Sequence, residues 1–314
     1  MKVEELNNKL KDNYIVLLPK EDYDIKESVE FSFNNVLYLD FSLTAENVKK
    51  IIDYINEKGE QLIIFDYDEV YRQILPYIRK TKKIKWIIKE SLAALTHGKT
   101  RAVYTNLMEF CDRNIVNTIG CLDYSAFLVL KNAGYNAKFI SLDIKRKKSV
   151  IKNSNSIGII GDDTNPNHNT YNQLSALKLV NYSYVKILKG MPATNHFINF
   201  FDIRERESKT LEEVMSDNFV NMYCNFTFTN KELVIKSMDS GVPCLLGNTT
   251  IFDDYPILKQ YLVLDSDDDI SEIANKINSI KENKDTIMKS YDKFREKYTE
   301  NSKKTINKFL NTKL

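Results

Sequence analysis

At 314 residues the chain is long for one hydrophobic core, and its 43% apolar and 28% charged residues exclude a largely disordered protein. A formal net charge of only +2 gives no field that would attract nucleic acid or an anionic membrane. Nine glycines and six prolines are too few for a turn-dense all-β sandwich.

The cysteines and histidines indicate a protein without a metal site. Cys111, Cys121, Cys224 and Cys244 are scattered and form no Cys-x-x-Cys pair, so we expect buried thiols in a reducing compartment. The polar N-terminus lacks the apolar centre of a signal peptide, and no stretch is apolar over the roughly 20 residues of a membrane span. The sequence therefore predicts a cytoplasmic protein with no transmembrane segment, no metal and no cofactor.

In the first half of the chain, short β-rich apolar runs alternate with helical patterns. Strands are predicted at Tyr14–Leu18, Val36–Phe41, Leu62–Phe65, Ile84–Ile88, Ile115–Ile119 and Lys138–Leu142. Apolar residues between Ala45 and Ile55 fall on one helical face, with Thr44 at the N-cap position and Gly59 at the C-cap position. Further helices are predicted over residues 101–112 and 124–134.

A basic, polar stretch over residues 145–155 interrupts this alternation. A nucleic-acid patch and a solvated interdomain linker both fit its composition, and we favour the linker. Beyond it, strands are predicted at Ser156–Gly161, Tyr184–Leu188, His196–Phe200, Phe219–Phe226, Val242–Leu246 and Tyr261–Leu264. Helices are predicted over 169–180, 209–217, 230–240 and 269–281, with a long amphipathic helix in the tail from 283.

Strand–helix alternation in both halves predicts an α/β fold with two Rossmann-like βαβ domains that face each other across a cleft. We place the domains at residues 1–150 and 151–282, followed by a long C-terminal helix over 283–314. Ligands of such sheets bind outside the carboxyl ends of the strands. The loops that follow the strands are therefore the candidate functional segments.

The loop after Gly161 is the first of these segments. Gly161 would let a ligand approach the backbone, and the free N–H groups of a helix beginning near Asn169 or Thr170 would form an anion site. The segment fits a diphosphate cradle, and it fits equally well an ordinary strand–loop–helix with an Asn or Thr cap. Asp162 and Asp163 would repel a phosphate, and the loop has no Lys or Arg to offset them.

The second segment is the corner Ser237-Met238-Asp239-Ser240-Gly241-Val242-Pro243, where a helix ends, a glycine turns the chain and a strand begins. This corner resembles the Glu-(Ala/Ser)-Met-x-x-Gly-Val-Pro corner of glycosyltransferases with the GT-B fold, and the likeness to a GT4-like C-terminal lobe extends over residues 156–282. The resemblance implies that 1–150 is an acceptor-side domain and that 151–282 binds a nucleotide sugar. It also implies that the helix over 283–314 braces the two lobes.

The same resemblance implies a diphosphate site at the start of the second domain. Gly161, His168, Asn169 and Thr170 would flank the diphosphate, which the fold stabilises with helix N-termini and polar side chains instead of a metal ion. The family's Arg-Lys-Asn…Thr-Gln loop falls on Asn167-His168-Asn169…Asn172-Gln173, so both of its cations are missing here.

The helix predicted over residues 230–240, before the corner, lacks the glutamates that the family has at this site. Two family glutamates, which contact the donor sugar and the ribose hydroxyls, fall here near Phe228 and on Lys236. A lysine cannot accept hydrogen bonds from ribose, which leaves Glu232 as the only carboxylate on this helix before Asp239. The resemblance places Glu232, Lys236 and Ser237 at the donor, beside the nucleoside or, for Lys236, the phosphates.

His97 is the candidate catalytic residue. It lies beyond the strand Ile84–Ile88, and related enzymes place a histidine or an acid of this lobe against the acceptor, as base or transition-state stabiliser. A loop histidine before the Gly98 turn is an equally good interpretation. His196 begins an apolar strand and is interpreted as a packed or edge histidine.

Two acidic segments follow predicted strands. Asp66-Tyr67-Asp68 matches the metal-binding triplet of the GT-A fold, but two βαβ halves and a GT-B corner do not fit that fold. We therefore interpret the triplet as a solvated strand-end loop. Asp265–Asp269 is interpreted as the N-cap and first-turn acid cluster of the next helix.

The sequence favours a metal-independent glycosyltransferase, hexosyl or related, that moves a sugar from a nucleotide-sugar donor to a glycan or protein acceptor in glycan biosynthesis. The rival is a catalytically inactive GT-B-like subunit that binds an acceptor or stabilises a protein partner or oligomer, and the missing glutamate and cations support it. A third interpretation, a sugar-phosphate-modifying enzyme or binding protein on the same fold, rests on fold analogy alone.

Overall fold

The computed structural model describes residues 11–19, 25–39, 44–66, 69–89, 91–92, 98–146, 154–161, 168–188, 197–199, 203–226 and 229–312. The chain divides into two compact units, the first formed by 1–145 with 298–314 and the second by 146–297. Each unit is built on one parallel sheet. The predicted α/β fold of two Rossmann-like domains with a long C-terminal helix is confirmed.

The sheet of the first unit has six parallel strands. They are β1 (Tyr14–Pro19), β2 (Val36–Leu39), β3 (Gln61–Phe65), β4 (Lys83–Ile88), β5 (Thr118–Cys121) and β6 (Ala137–Phe139). The connecting helices are α1 (Lys26–Ser32), α2 (Ala45–Glu57), α3 (Val70–Ile74), α4 (Gly98–Asp112) and α5 (Tyr124–Asn132). The strand order is β2–β1–β3–β4–β5–β6, with every neighbouring pair parallel.

Both faces of this first sheet are covered mainly by apolar side chains. On one face Trp86 of β4 is fully buried, with its ring centroid 5.9 Å from those of Tyr71 and Phe110. On the other face Phe309, near the end of the C-terminal helix, joins the hydrophobic cluster of β1 and β3. Lys85 lies on that second face, 1% exposed, and its Nζ donates to the carbonyl of Phe309 at 2.5 Å. The ammonium group therefore caps the end of the helix from inside the sheet.

The second sheet has five parallel strands, β7 (Ile157–Ile159), β8 (Val185–Leu188), β9 (Glu205–Ser208), β10 (Val220–Tyr223) and β11 (Cys244–Leu246). Its helices are α6 (Thr170–Ala176), α7 (Leu211–Met215), α8 (Lys231–Asp239), α9 (Pro256–Leu262) and α10 (Ile270–Leu310). The strand order is β11–β10–β7–β8–β9. Helix α10 runs from the second unit into the first, with one non-helical residue at Asn283.

A network of buried amides and hydroxyls lies inside the second unit. Asn221 of β10 is fully buried, and its Nδ2 donates to the carbonyl of Met215 at 2.9 Å and to Oγ of Ser237 at 2.8 Å. Its Oδ1 accepts from Nδ2 of Asn218 at 2.7 Å. Gly158 of β7 lies under this network, where a Cβ would clash with Oδ1 of Asn221 and lie 2.6 Å from Nδ2 of Asn218. The network therefore requires a glycine at this position.

One strand of the first sheet begins later than predicted. The strand expected at Ile115–Ile119 starts only at Thr118. Asn114 adopts a left-handed backbone, and the N–H groups of the next two residues bond back to the carbonyl of Phe110 at the end of α4. The apolar residues after Asn114 therefore close a helix before the strand begins.

Two predicted strands of the second unit are wrong. Within His196–Phe200, residues 197–199 are described and are helical. Over Tyr261–Leu264 the chain is still helical as far as Leu262, and only Val263 forms a bridge to β11. Short apolar runs fit a buried helix as well as a strand, which explains both errors. Strand β9 was not predicted, because an edge strand of mostly exposed polar residues has no apolar pattern.

The long tail forms one element, since residues predicted as two helices join in α10. None of the helices in the described ranges is both long enough and apolar enough to cross a membrane. Most of the stretch predicted as a linker, residues 147–153, lies outside the described residues.

Candidate functional site

The second sheet changes its direction of growth between β7 and β10. Strands β8 and β9 are added on one side of β7, whereas β10 and β11 are added on the other. At such a point the connections leave neighbouring strands toward opposite faces, and ligands of open α/β sheets bind outside the carboxyl ends of those strands. We call the region after Ile159 of β7, Tyr223 of β10 and Leu246 of β11 the switch-point site.

Gly161 and His168 lie against each other, although the six residues between them, 162–167, lie outside the described residues. Gly161 has a φ of +148°, a conformation that favours glycine. A Cβ at this position would lie 3.1 Å from Cβ of His168. The positive φ therefore favours a glycine, a Cβ would crowd His168, and the structure brings these two predicted residues together.

Asn169 and Thr170 follow at the start of α6. Asn169 has a left-handed backbone, with φ 54° and ψ 30°, and its side chain does not cap α6. Its Nδ2 donates instead to the carbonyl of Asp267 at 2.5 Å, so the Asn cap considered for this helix does not form. Thr170 is the first residue of α6 and is 3% exposed.

Gln173 ties this loop to the end of β10, although sequence analysis did not include it among the site residues. It is fully buried, and its Nε2 donates to the carbonyl of His168 at 2.7 Å. Its Oε1 accepts from the backbone N–H of Cys224 at 3.4 Å. One amide side chain on α6 therefore fixes the ends of β7 and β10 relative to each other.

Helix α8 begins at the same edge of the sheet and carries Glu232 and Lys236. Asn230 caps the helix, since its Oδ1 accepts from the N–H of Glu232 at 3.0 Å. The Glu232 side chain is 4% exposed, and its Oε1 lies 2.7 Å from Nζ of Lys236, one turn further on. The structure thus combines these two predicted residues in one ion pair with the glutamate on the N-terminal side, the favoured order in a helix.

Ser237 is engaged inside the corner. It is fully buried, its Oγ donates to the carbonyl of Val242 at 2.8 Å, and the same Oγ accepts from Nδ2 of Asn221 at 2.8 Å. Gly241, with a φ of +80°, reverses the chain between α8 and β11. The hydroxyl that the resemblance places near the nucleoside therefore holds the corner together.

Asp239, the last residue of α8, binds the corner to α10. Its Oδ1 accepts from the hydroxyl of Tyr291 at 2.8 Å, and its Oδ2 accepts from Nε of Arg295 at 3.1 Å. Asp239 and Arg295 are each 3% exposed at the side chain. Burial raises the pKa of Tyr291, and the charge of Asp239 adds to that rise. A buried ion pair therefore holds the carboxyl end of α8.

The loop after β11 forms a third side of the switch-point site. A Cβ on Gly247 would clash with the carbonyl of Asn225 and lie 2.9 Å from Oδ1 of Asp267. That Oδ1 accepts from the backbone N–H of Asn248. Burial raises the pKa of Asp267, and the neighbouring Asp268 and Glu272 raise it further, against the lowering effect of the Asn248 bond.

Asp269 confirms part of the interpretation of the acidic segment Asp265–Asp269. Its Oδ1 accepts from the N–H groups of Ser271 at 2.8 Å and Glu272 at 3.0 Å, so it is the N-cap of α10. Asp267, from the same segment, instead contacts the loops after β7 and β11 through its carbonyl and its carboxylate. Only the tertiary structure separates these two roles.

The remaining predicted residues belong to the first unit. His97 lies outside the described residues. Asp66, at the end of β3, is 2% exposed, and its carboxylate lies 3.1 Å from Nζ of Lys89 at the end of β4. The interpretation of this triplet as a solvated loop is therefore wrong for Asp66, because the neighbouring strand supplies a buried cation. In the described part of the chain, no group of three or more His, Cys, Asp or Glu residues is placed to hold a metal ion.

No protein-family model and no curated protein sequence matches the chain. Among solved structures, TarM from S. aureus, in complex with fondaparinux, α-GlcNAc-glycerol and UDP, has a TM-score of 0.64 at 15% identity, over 84% of this chain. The chain spans only 58% of the length of TarM. Anabaena HepE in complex with UDP-glucose has a TM-score of 0.72 at 10% identity, over 95% of this chain and 99% of HepE.

Sucrose-phosphate synthase from Thermosynechococcus elongatus has a TM-score of 0.67 at 10% identity, over 95% of this chain and 97% of that protein. These similar structures are glycosyltransferases with the GT-B fold, and the chain shares that fold. The placement of its second half in a GT4-like group stays a prediction.

Proposed function

We propose that the chain is a glycosyltransferase that transfers a sugar from a nucleotide-sugar donor to a glycan or protein acceptor. The observation that carries the proposal is where the predicted donor residues lie. The edge where open α/β sheets bind ligands, at the switch point between β7 and β10, carries Gly161, His168, Asn169, Thr170, Glu232 and Lys236. Support comes also from HepE, which has the same fold and was solved with UDP-glucose.

In this proposal the diphosphate lies against the start of α6. Gly161 presents its backbone without a side chain, and the imidazole of His168 beside it would donate a hydrogen bond to a phosphate oxygen. The backbone of Asn169 and the hydroxyl of Thr170 would complete the contacts. We propose that no metal ion takes part, and that these polar groups stabilise the leaving diphosphate.

The ribose would lie at the start of α8. The carboxylate of Glu232 accepts hydrogen bonds only, so it suits the two ribose hydroxyls. Lys236, 2.7 Å away, offsets the charge of this buried carboxylate and brings a cation to a site whose phosphate loop has none. Ser237 would act on the donor only through the corner that it holds.

The reaction breaks the bond between the anomeric carbon and the diphosphate oxygen and forms a bond from that carbon to an acceptor oxygen. The nucleoside diphosphate leaves with the electron pair, and the acceptor hydroxyl loses its proton. His97 remains our predicted base or transition-state stabiliser on the acceptor side. We place the reaction in the cytoplasm.

A catalytically inactive subunit is the second candidate, and the Glu232–Lys236 pair is the observation that favours it. The negative charge of Glu232 and the positive charge of Lys236 compensate each other. Neither charge is then fully available to bind a nucleotide sugar. Such a protein would bind an acceptor, or stabilise a protein partner or oligomer, and would leave nucleotide sugars unbound.

Calorimetric titration of the full chain with UDP-, GDP-, CDP- and dTDP-sugars separates the two candidates. We expect one donor class to bind, and Glu232→Gln and Lys236→Met each to weaken that binding about tenfold, the loss of one hydrogen bond to a charged group. Binding of no donor class would reject the transferase for these donors and favour the inactive subunit.

The chain offers a matched control for this titration. Glu46 and Lys50 on α2 form a pair with the same spacing and the same 2.7 Å distance, but their side chains are 76% and 56% exposed. Glu46→Gln and Lys50→Met should leave donor binding unchanged. If donor binds, His97→Ala should lower the turnover of donor with acceptor while donor affinity stays the same.

A further inference from the structure

A cavity of about 450 Å³ opens in the second unit away from the switch-point site. Three of its lining residues, Ser154, Tyr184 and Asp217, come shortly before β7, β8 and β10 along the chain. The amino ends of parallel strands share one edge of the sheet, so the cavity lies at the edge opposite to the switch-point site. Its volume is within the range of small-molecule sites, roughly 300–1,000 Å³.

The cavity lies beside a short helix, against polar side chains of β8 and β9. Helix α7 has only five residues, and its Glu213 lines the cavity. Lys186 of β8 and Arg206 of β9 are register partners, so their side chains stand side by side on one face of the sheet. Both residues line the cavity, which places two cations at its floor.

Lys186 is a buried cation with hydrogen-bonding capacity left over. It is 6% exposed, and its Nζ donates to the carbonyl of Ser216. An ammonium group has three donors. Lys186 forms no ion pair with any carboxylate of the described residues. Burial lowers the pKa of Lys186 and Arg206 adds to the shift, against the opposing effects of Tyr184, Asp217 and Glu213.

The surroundings of Tyr184 show that the floor of the cavity favours negative charge. Burial alone would raise the pKa of Tyr184, but nearby hydroxyls, the Arg206 guanidinium and the Lys186 ammonium bring it below its ordinary value. The guanidinium carbon of Arg206 lies 5.8 Å from the centre of the Tyr184 ring. A phosphate or carboxylate oxygen placed there would meet the same donors.

The rim of the cavity has the opposite charge. Glu213 and Asp217 line it, and a carboxylate only accepts hydrogen bonds, so a ligand must bring donors such as hydroxyl groups. The same two carboxylates would repel a second anionic group. A nucleoside diphosphate or a nucleic acid therefore does not fit, whereas a compound with one anionic end and several hydroxyls does.

We propose that this cavity binds a small polyhydroxylated compound with a single anionic group, of the kind represented by a hexose monophosphate or a hexuronic acid. The anionic group binds Lys186 and Arg206 at the floor, and the hydroxyls bind the rim carboxylates. This site is independent of the proposed transferase function, since it shares no residue with the switch-point site.

Calorimetric titration of the full chain with glucose 6-phosphate, glucuronate, inorganic phosphate and glucose tests the proposal. We expect at least one of the two anionic sugars to bind, inorganic phosphate to bind at least tenfold more weakly, and glucose not to bind. The stronger of the two anionic sugars identifies the anionic group as phosphate or carboxylate. Failure of both anionic sugars to bind would overturn the proposal, and inorganic phosphate binding as tightly as the sugars would overturn the role of the rim.

Variants then locate the binding. Lys186→Met and Arg206→Ala should each weaken it at least tenfold, and Arg206→Lys, which keeps the charge at an exposed position, should weaken it less than Arg206→Ala. The matched control is Lys276→Met, since Nζ of Lys276 also donates to one backbone carbonyl, that of Gln260 at 2.5 Å, but on the surface. Unchanged affinity in both Arg206→Ala and Lys186→Met would overturn the site. Glu232→Gln, at the other edge of the sheet, should bind the sugar as the parent does.

Discussion

Both sheets are parallel, but their interiors differ. The first is packed on both faces by aliphatic and aromatic side chains, with Trp86 at the centre of one face. The second has Asn221 on a central strand and Gly158 beneath it, and its buried polar groups bond to one another and to Ser237. An apolar layer tolerates small changes of shape, whereas a buried hydrogen-bond network depends on every partner.

This difference bears on the candidate site. The network reaches the corner through the bond between Asn221 and Ser237, and the corner reaches α10 through Asp239. Helix α8, which carries the Glu232–Lys236 pair, is therefore fixed at its carboxyl end by polar contacts whose geometry is specific. We expect the second unit to lose more stability than the first when a single buried polar partner is removed.

Arg295→Met should give the largest effect. It breaks a buried ion pair, which costs about 3–5 kcal/mol when no cation remains. Arg146, 3.6 Å from the carboxylate of Asp239, and the hydroxyl of Tyr291 stay in place, so we expect a loss of about 3 kcal/mol. Urea unfolding followed by far-UV circular dichroism measures the loss of unfolding free energy. The double variant Asp239→Leu with Arg295→Met removes both charges and should recover most of it.

An exposed ion pair is the control for this prediction. Arg113 lies 3.2 Å from Glu109 on α4, with side chains 54% and 43% exposed. Arg113→Met should change the unfolding free energy by less than about 0.5 kcal/mol. A loss below about 1 kcal/mol for Arg295→Met would contradict the view that polar pairs hold the second unit.

Gly158→Ala should have the next largest effect, a loss of about 2 kcal/mol. The new methyl group would clash with Oδ1 of Asn221 and lie 2.6 Å from the carbonyl of Val214, so the amide network must shift. Gly98→Ala is the matched control, because a Cβ there meets nothing within 4 Å, and it should lose no stability. In the apolar first sheet, Ile64→Val should cost about 1 kcal/mol.

Lys85 should give the smallest effect of the three. The effect is a pH dependence of the free energy of unfolding. Burial lowers the pKa of Lys85 from 10.5 to about 8, with the neighbouring Lys83 adding to the shift. Between pH 8 and 10.5 the unfolded chain therefore binds more protons at this group than the folded chain does. Stability should rise with pH across this window, by about 1 kcal/mol from pH 8 to pH 9.

Lys85→Met should lack this rise. Other lysines that titrate in the same range contribute equally to parent and variant, so the difference between their unfolding free energies isolates Lys85. Parallel pH profiles of the two proteins would show that the buried ammonium keeps an ordinary pKa.

Local patterns in the sequence were sufficient to predict the α/β architecture. The apolar run from Tyr14 to Leu18 predicted a buried strand, and Gly241 predicted the end of α8. Both features depend only on residues that are neighbours in the sequence. Strand β9 could not be predicted, since an exposed polar edge is held by backbone bonds to β8 and leaves no side-chain signal.

The site was predictable only where its contacts are local. Glu232 and Lys236 are four residues apart, so their pairing can be inferred from helix spacing. Gln173 bonds Cys224 across 51 residues, and Asn169 bonds Asp267 across 98. Contacts at that separation are set by the order of the strands, which the sequence of one chain does not state.

Trp86 is the single tryptophan of the 314 residues, and its indole ring is fully buried in the first sheet. Its fluorescence is therefore a built-in reporter of the first unit alone, whereas far-UV circular dichroism records helices of both units. Unfolding curves that coincide by these two signals would mean that the units melt as one cooperative system, and curves that separate would give each unit its own stability without any label.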